Sequence, residues 1–202
     1  MQKIESRMEK TKIISIVFFI ISLLLAAYLG KSIFTSIDQA ESIERGEKAV
    51  IQKLSMIREA QIAYQSVNGN YTSDWDKLKS FIDTGKFYLV DRVEHIITLD
   101  YGADSVYVEF DTLGTVLVKD SVFSAKKYPK FNLETLSKVP GKDAEFEMWA
   151  DEIEKSGVKI DVVEVKNPAP IDPARKEENE ARTRKPLRFG SRTNVTTAGN
   201  WE

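Results

Sequence analysis

Residues 13–29, IISIVFFIISLLLAAYL, carry no charge. With the weakly polar continuation to residue 37, only Lys31 interrupts an apolar stretch of the roughly 20 residues that a bilayer crossing needs. Hydrocarbon offers the backbone no hydrogen-bond partner, so the pattern predicts a transmembrane helix over residues 13–34. Lys31 falls near its end, where the stem stays apolar while the amine reaches the interface. Lys3, Arg7, Lys10 and Lys12 precede the run, and Lys31 is the only basic residue soon after it. The positive-inside rule then puts residues 1–12 in the cytoplasm and everything after about Phe34 outside. A cleaved signal peptide has the same layout. Ala26–Ala27–Tyr28 lacks a clean small-x-small arrangement, however, and the run is long, so an uncleaved anchor is expected.

Beyond the anchor the period changes. Residues 36–67 hold abundant Glu, Lys, Gln, Arg and Ala, no Pro, and Gly46 alone as a weak point, which predicts helix. Ile43, Val50, Leu54, Ile57 and Tyr64 form one apolar stripe, and Met56, Ala60, Ala63 and Val67 an adjoining one. Together they make a face broad enough to pack on a sheet. Unless the chain breaks at Gly30 or Gly46, span and stripe belong to one long helix. Asn68–Gly69–Asn70 should stop it in a left-handed cap.

A short helix is expected over residues 73–82, capped by Ser73 or Asp74, and then period two takes over. Residues 96–101, 106–110 and 115–119 read as strands with turns at 102–104 and 111–114. In that antiparallel meander Val106, Val108, Phe110, Val116 and Val118 would face inward. Residues 145–153 and 158–165 read as a second strand pair hinged at 155–157, with helix an open alternative for the first. Three prolines in residues 167–173 mark a boundary. Past it, residues 174–184 are charged and helix-permissive; residues 187–197 are Thr-rich and suit either an edge strand or a tail without order. The fold class is therefore α+β: an N-terminal transmembrane helix continuing into a long amphipathic helix packed on a small antiparallel sheet.

Composition narrows the chemistry. The 202 residues carry a net charge of -2, far from the basic excess that phosphate neutralisation requires, so no nucleic-acid partner is expected. Cys is absent and His95 is the only histidine, which removes thiolate chemistry and any two-histidine metal site within one chain. His95 and Glu94 are strand neighbours pointing to opposite faces, so they form no dyad. Asp100, Asp104 and Asp111 sit where turns favour aspartate, without a calcium-loop pattern. Asp143, Glu145, Glu147, Asp151, Glu152 and Glu154 form an acidic cluster, and Arg182, Arg184, Lys185, Arg188 and Arg192 a basic one. They read as solvated surface, or as complementary patches across a subunit contact. The glycines build no phosphate loop and no Ser lies in a nucleophile elbow. The triplets at Asn70 and Asn194 match glycosylation sequons that recur by chance. No catalytic, cofactor-binding or metal residues are assigned, no small-molecule substrate is expected, and the chain reads as a non-enzyme.

One stretch carries a resemblance. Ile57–Arg58–Glu59–Ala60–Gln61–Ile62–Ala63–Tyr64, then Asn68–Gly69–Asn70–Tyr71, then Trp75 and Leu78, resemble the helix end of type IV pilins and type II secretion pseudopilins. The motif covers residues 50–82, and the general layout resembles that family over residues 10–120. No prepilin cleavage Gly precedes the apolar run, and the Glu expected at the fifth mature position is missing. Taken with the residue pattern, the resemblance implies a cytoplasmic N-terminus (1–12), a transmembrane helix (13–34) and an extracytoplasmic pilin-like α+β domain (35–166), while the prolines alone set off a charged C-terminal tail (167–202). It further implies a single-pass inner-membrane protein with a periplasmic or extracellular domain. Its role would be that of a structural subunit in a bacterial secretion, pilus or motility machine, meeting other envelope proteins or copies of itself. The alternative is an anchored extracytoplasmic module that binds a ligand or serves as a receptor. A hydrolase built on paired carboxylates is the least supported class.

Overall fold

The computed structural model describes residues 2–99, 102–175 and 185–202. The chain divides into two compact units, Met1–Gly46 and Glu47–Glu202. Neither Gly30 nor Gly46 breaks the first helix: α1 runs Gln2–Asn68. Its N-terminal apolar positions are open, with Phe18, Phe19 and Phe34 each about two-thirds exposed or more. It is the one helix, among the described residues, long and apolar enough to cross a membrane, by length and composition. The hydroxyls of Thr35 and Ser36 donate to the carbonyls of Lys31 and Ser32 (2.9 Å each). These polar side chains are thus satisfied within their own helix.

The second unit is organised by the last turns of α1. Val50, Leu54, Ile57 and Ala60 are wholly buried, and their spacing of four, three and three keeps them on one face. Gly69, at φ 85°, ends the helix, and its N–H bonds back to Gln65 O (2.8 Å). Helix α2 (Trp75–Thr84) starts at Asp74, whose carboxylate accepts from the N–H groups of Asp76 and Lys77 and fills two of the orphan donors of the first turn. Leu78 and Ile82 carry its buried face into the core. Between the two helices, buried Gln61 grips the chain at Thr72. Its Nε2 donates to Thr72 O (2.7 Å), and its Oε1 accepts from Thr72 N–H (3.2 Å). A polar side chain is thereby kept in the core without an unmet group.

Strands β1 (Lys86–Thr98) and β2 (Asp104–Leu117) form a two-stranded antiparallel ribbon. Helix α3 (Val118–Val122) follows. Strands β3 (Glu147–Lys155), β4 (Val158–Lys166) and β5 (Arg188–Gly190) form a second antiparallel sheet in the order β3-β4-β5. The β3–β4 turn places Ser156 and Gly157 at φ 56° and 78°, the left-handed pair that matches strand twist in a two-residue hairpin. The strand reading of residues 145–153 therefore holds over the helical one. Val163 and Val165 of β4 share one core cluster with α1, α2, Phe123, Leu136, Val139, Phe146, Leu187 and Phe189. The architecture is α+β, a long N-terminal apolar helix with small antiparallel sheets.

Two expectations are corrected. The three-stranded meander is a two-stranded ribbon, because residues 111–114 do not turn. Leu89 pairs with Gly114 and Val90 with Thr112, so the strand absorbs Leu113 as a bulge. Val106 and Phe110, expected inward, are 55% and 66% exposed. The strand expected over residues 115–119 stops at Leu117, where Val118 N–H bonds to Gly85 O (2.9 Å) and the chain turns into α3. Of the two readings left open for residues 187–197, the edge strand holds over the tail without order, and residues 185–202 supply Leu187, Phe189 and Trp201 to the core or its margin. Within them β5 adds the edge strand. Of the helix-permissive stretch 174–184, residues 176–184 lie outside the described residues, and Pro173–Arg175 is a 3-10 turn.

Candidate interaction surface

Among the described residues of the second unit, most of the large hydrophobic side chains left open to solvent lie on the β1–β2 ribbon. Residues rich in Val, Ile, Tyr and Phe favour a pleated strand, and Gly102, at φ 85°, closes the turn. Leu99 N–H donates to Ala103 O and Gly102 N–H to Leu99 O (2.8 Å each). By register, Tyr88, Val90, Ile96, Val106 and Phe110 share one face with Arg92 and Glu94, which pair at 2.7 Å. Leu89, Val93, Ile97 and Tyr107 share the other. Tyr88, Ile96 and Phe110 are each about two-thirds exposed or more. An isolated two-stranded ribbon is marginal in water, which makes this open apolar area the candidate contact surface.

The polar candidates of the sequence fall on or near the ribbon without converging into a reactive centre. His95 stacks on Tyr107 (ring centroids 4.8 Å apart) and its Nε2 lies 3.1 Å from Glu109 Oε2. Asp104 accepts from Thr98 Oγ1 (2.8 Å) at the ribbon end. Asp111, expected in a turn, lies within β2 opposite Asp91. Asp100 is outside the described residues. Among the described residues no three His, Asp or Glu side chains are grouped to hold a metal ion.

The acidic and basic clusters meet other partners. Glu152 pairs with Lys159 and Glu147 with Lys166 across the β3–β4 hairpin. Arg188 and Arg192 turn to Glu164, whose side chain is buried. Arg192 Nε donates to Glu164 Oε1 (2.9 Å), and its guanidinium lies 5.4 Å from the Trp149 ring centroid. A buried carboxylate needs such donors, so this cluster fastens the segment after β5 over β4. Arg175 grips Glu47 through two nitrogens and donates to Lys185 O (3.0 Å). That fork ties both flanks of residues 176–184 to α1. Arg182 and Arg184 lie outside the described residues.

Sequence reasoning also missed a groove of about 320 Å³ between α1 and the segment before β3, lined by Met56, Tyr128, Pro129, Phe131 and Pro140 with Lys53 at its side. No periodicity marks it, because one wall is irregular chain. Lys53 Nζ donates to Thr135 O (2.8 Å), and burial lowers its pKa. Tyr128 Oη donates to Glu59 Oε1 (3.0 Å), while Lys127 holds the other oxygen (2.8 Å). Burial, and then the Glu59 carboxylate, push the Tyr128 phenol up to about 12 from its ordinary 10.0. The folded state therefore keeps this proton longer than the unfolded chain does. The stabilisation is complete below pH 10 and is lost as pH rises through about 12. In unfolding titrations the parent should lose stability across that window more steeply than Tyr128→Phe; parallel curves would refute the assignment.

Comparison with protein-family models, with curated proteins and with solved structures finds no match to the chain.

Proposed function

We propose that this protein is a membrane-anchored, non-catalytic structural subunit of a bacterial envelope assembly, pseudopilin-like in layout. One observation carries the reading: a single helix, α1, supplies both the open apolar run and the buried stripe of the folded unit. Residues 13–34 form the anchor in the inner membrane, the N-terminus is cytoplasmic, and the unit after it stands outside the cytoplasm. The ribbon supplies a surface for other envelope proteins. Anchoring is tested by Leu23→Arg combined with Leu24→Arg, each change disfavouring insertion by about 2.5–3.5 kcal/mol at mid-span. The double variant should leave the membrane pellet while the parent resists alkaline extraction. A shortened, soluble parent would replace the anchor with a cleaved signal peptide. Envelope partners should co-purify after mild detergent extraction; their consistent absence would overturn the assembly role.

The groove beside Met56 and Phe131 favours a second reading, an anchored ligand-binding module, since its volume lies in the range of small-molecule sites. Protection of the unit against heat by small aromatic compounds, abolished in Met56→Trp, would move the balance to that reading.

A further inference from the structure

We infer that β1 is a self-pairing edge, through which a second copy of this chain adds antiparallel to the ribbon about a two-fold axis at Val93. The inference goes beyond the assembly role and does not depend on it, since an anchored receptor can pair in the same way.

The argument starts from the strand's own sequence, Leu89–Val90–Asp91–Arg92–Val93–Glu94–His95–Ile96–Ile97. Laid antiparallel against itself about Val93, it sets Arg92 opposite Glu94, Asp91 opposite His95, Val90 opposite Ile96 and Leu89 opposite Ile97. Each pair is complementary in charge, in hydrogen bonding or in apolar character, and opposite residues are the unit of sheet stabilisation. Because the axis repeats every contact, each pair other than Val93 with itself occurs twice. Moving the axis by one residue destroys the match. At Arg92 it sets guanidinium against guanidinium and Val90 against Glu94; at Glu94 it sets carboxylate against carboxylate and Arg92 against Ile96.

The backbone allows the matching register. Val118 N–H bonds to Gly85 O and Leu99 N–H to Ala103 O, so odd-numbered positions along β1 turn their hydrogen-bonding groups toward β2. Even-numbered positions turn theirs outward, by the alternation of antiparallel ladders. About Val93, residue 92 pairs with 94, 90 with 96 and 88 with 98, so outward groups meet outward groups. The ribbon has only two strands, and no third strand pairs with β1 among the described residues. Residues 88–94 are all exposed. An edge of this length with apolar faces and no proline is a template for another strand. Pairing would extend both apolar faces into a four-stranded sheet.

The chain has no cysteine, so one introduced thiol reports the register. Val93 faces its own copy as a non-hydrogen-bonded pair, with Cα atoms about 4.5 Å apart, within disulfide reach. The two Ile97 positions would lie about 26 Å apart. Full-length V93C in membranes, under mild oxidation, should give a species of twice the 22.9 kDa chain. I97C should link about tenfold less. L89C mixed with I97C should link as a heterodimer. Adding R92E to V93C should reduce the product, and adding E94R to that variant should restore it. A monomeric V93C, I97C linking as readily as V93C, or no rescue by the charge swap would each overturn the register. Loss of V93C linking with envelope partners still co-purifying would sink this inference alone.

Discussion

Gly190→Ala is expected to destabilise the Glu47–Glu202 unit by roughly 2–5 kcal/mol, from a left-handed backbone penalty and a forced steric shift. Gly190 holds φ 77° at the end of β5, and a Cβ there would stand 1.9 Å from Val163 O and 2.9 Å from its carbonyl carbon. The carbonyl cannot recede freely. Val163 O accepts from Ser191 N–H (3.0 Å), and the Val163 side chain lies in the core. Gly190 N–H in turn bonds to Ala198 O (3.0 Å), which binds the last residues to the strand. Denaturant unfolding of the detergent-solubilised chain, followed by tryptophan fluorescence, measures the effect. Gly114→Ala is the control, because a Cβ there meets nothing within 4 Å, and it should stay within about 0.5 kcal/mol of the parent. A Gly190→Ala variant as stable as that control would show that β5 does not sit against β4 as described.

That contact also shows what sequence can and cannot disclose. Elements with a strong internal period were legible: the uncharged run, the stripe of Val50, Leu54 and Ile57, the Gly69 stop, and the hairpin at Ser156–Gly157. In each the signal lies within neighbouring residues. The ribbon was half missed for the opposite reason. Residues 88–94 face solvent on both sides, so burial imposes no alternation, and the Asp-Thr-Leu-Gly stretch imitates a turn while serving as a bulge. Leu187 and Phe189 were hidden among charged neighbours, because two residues cannot establish a period.

The interaction surfaces follow the same division. The acidic and basic clusters were visible by composition, but their partners were not. Arg188 and Arg192 meet Glu164, a residue inside a valine-rich strand, since β5 joins β4 from more than twenty positions away in sequence. The complementarity of β1 about Val93 could have been read from sequence. Only the ladder shows which of its positions turn their backbone outward, and therefore which axis is allowed.

Phe146→Ala should destabilise the same unit by about 3–5 kcal/mol, while Phe110→Ala should change it by no more than about 0.5 kcal/mol. Phe146 is 2% exposed and Phe110 66%. The segment from α3 to β3 has no long element of its own, so side-chain burial organises it. Phe146 N–H bonds to Ser137 O (2.8 Å) and Val139 N–H to Ala144 O (2.9 Å), closing a small loop on Leu136, Val139 and Phe146. Phe123 and Phe131 stack beside it at 4.2 Å between centroids. Removing the Phe146 ring leaves a cavity that this irregular chain cannot collapse without giving up its hydrogen bonds. Removing Phe110 takes away area that water already touches. Both are measured by the same unfolding assay, at a protein concentration low enough to keep copies apart. If Phe110→Ala proved as damaging as Phe146→Ala, the ribbon would be packed against its own chain. The surface assigned to partners would then be core. If the two differ as expected, the Phe110 ring adds little to the stability of the folded unit and stays open for a contact outside it.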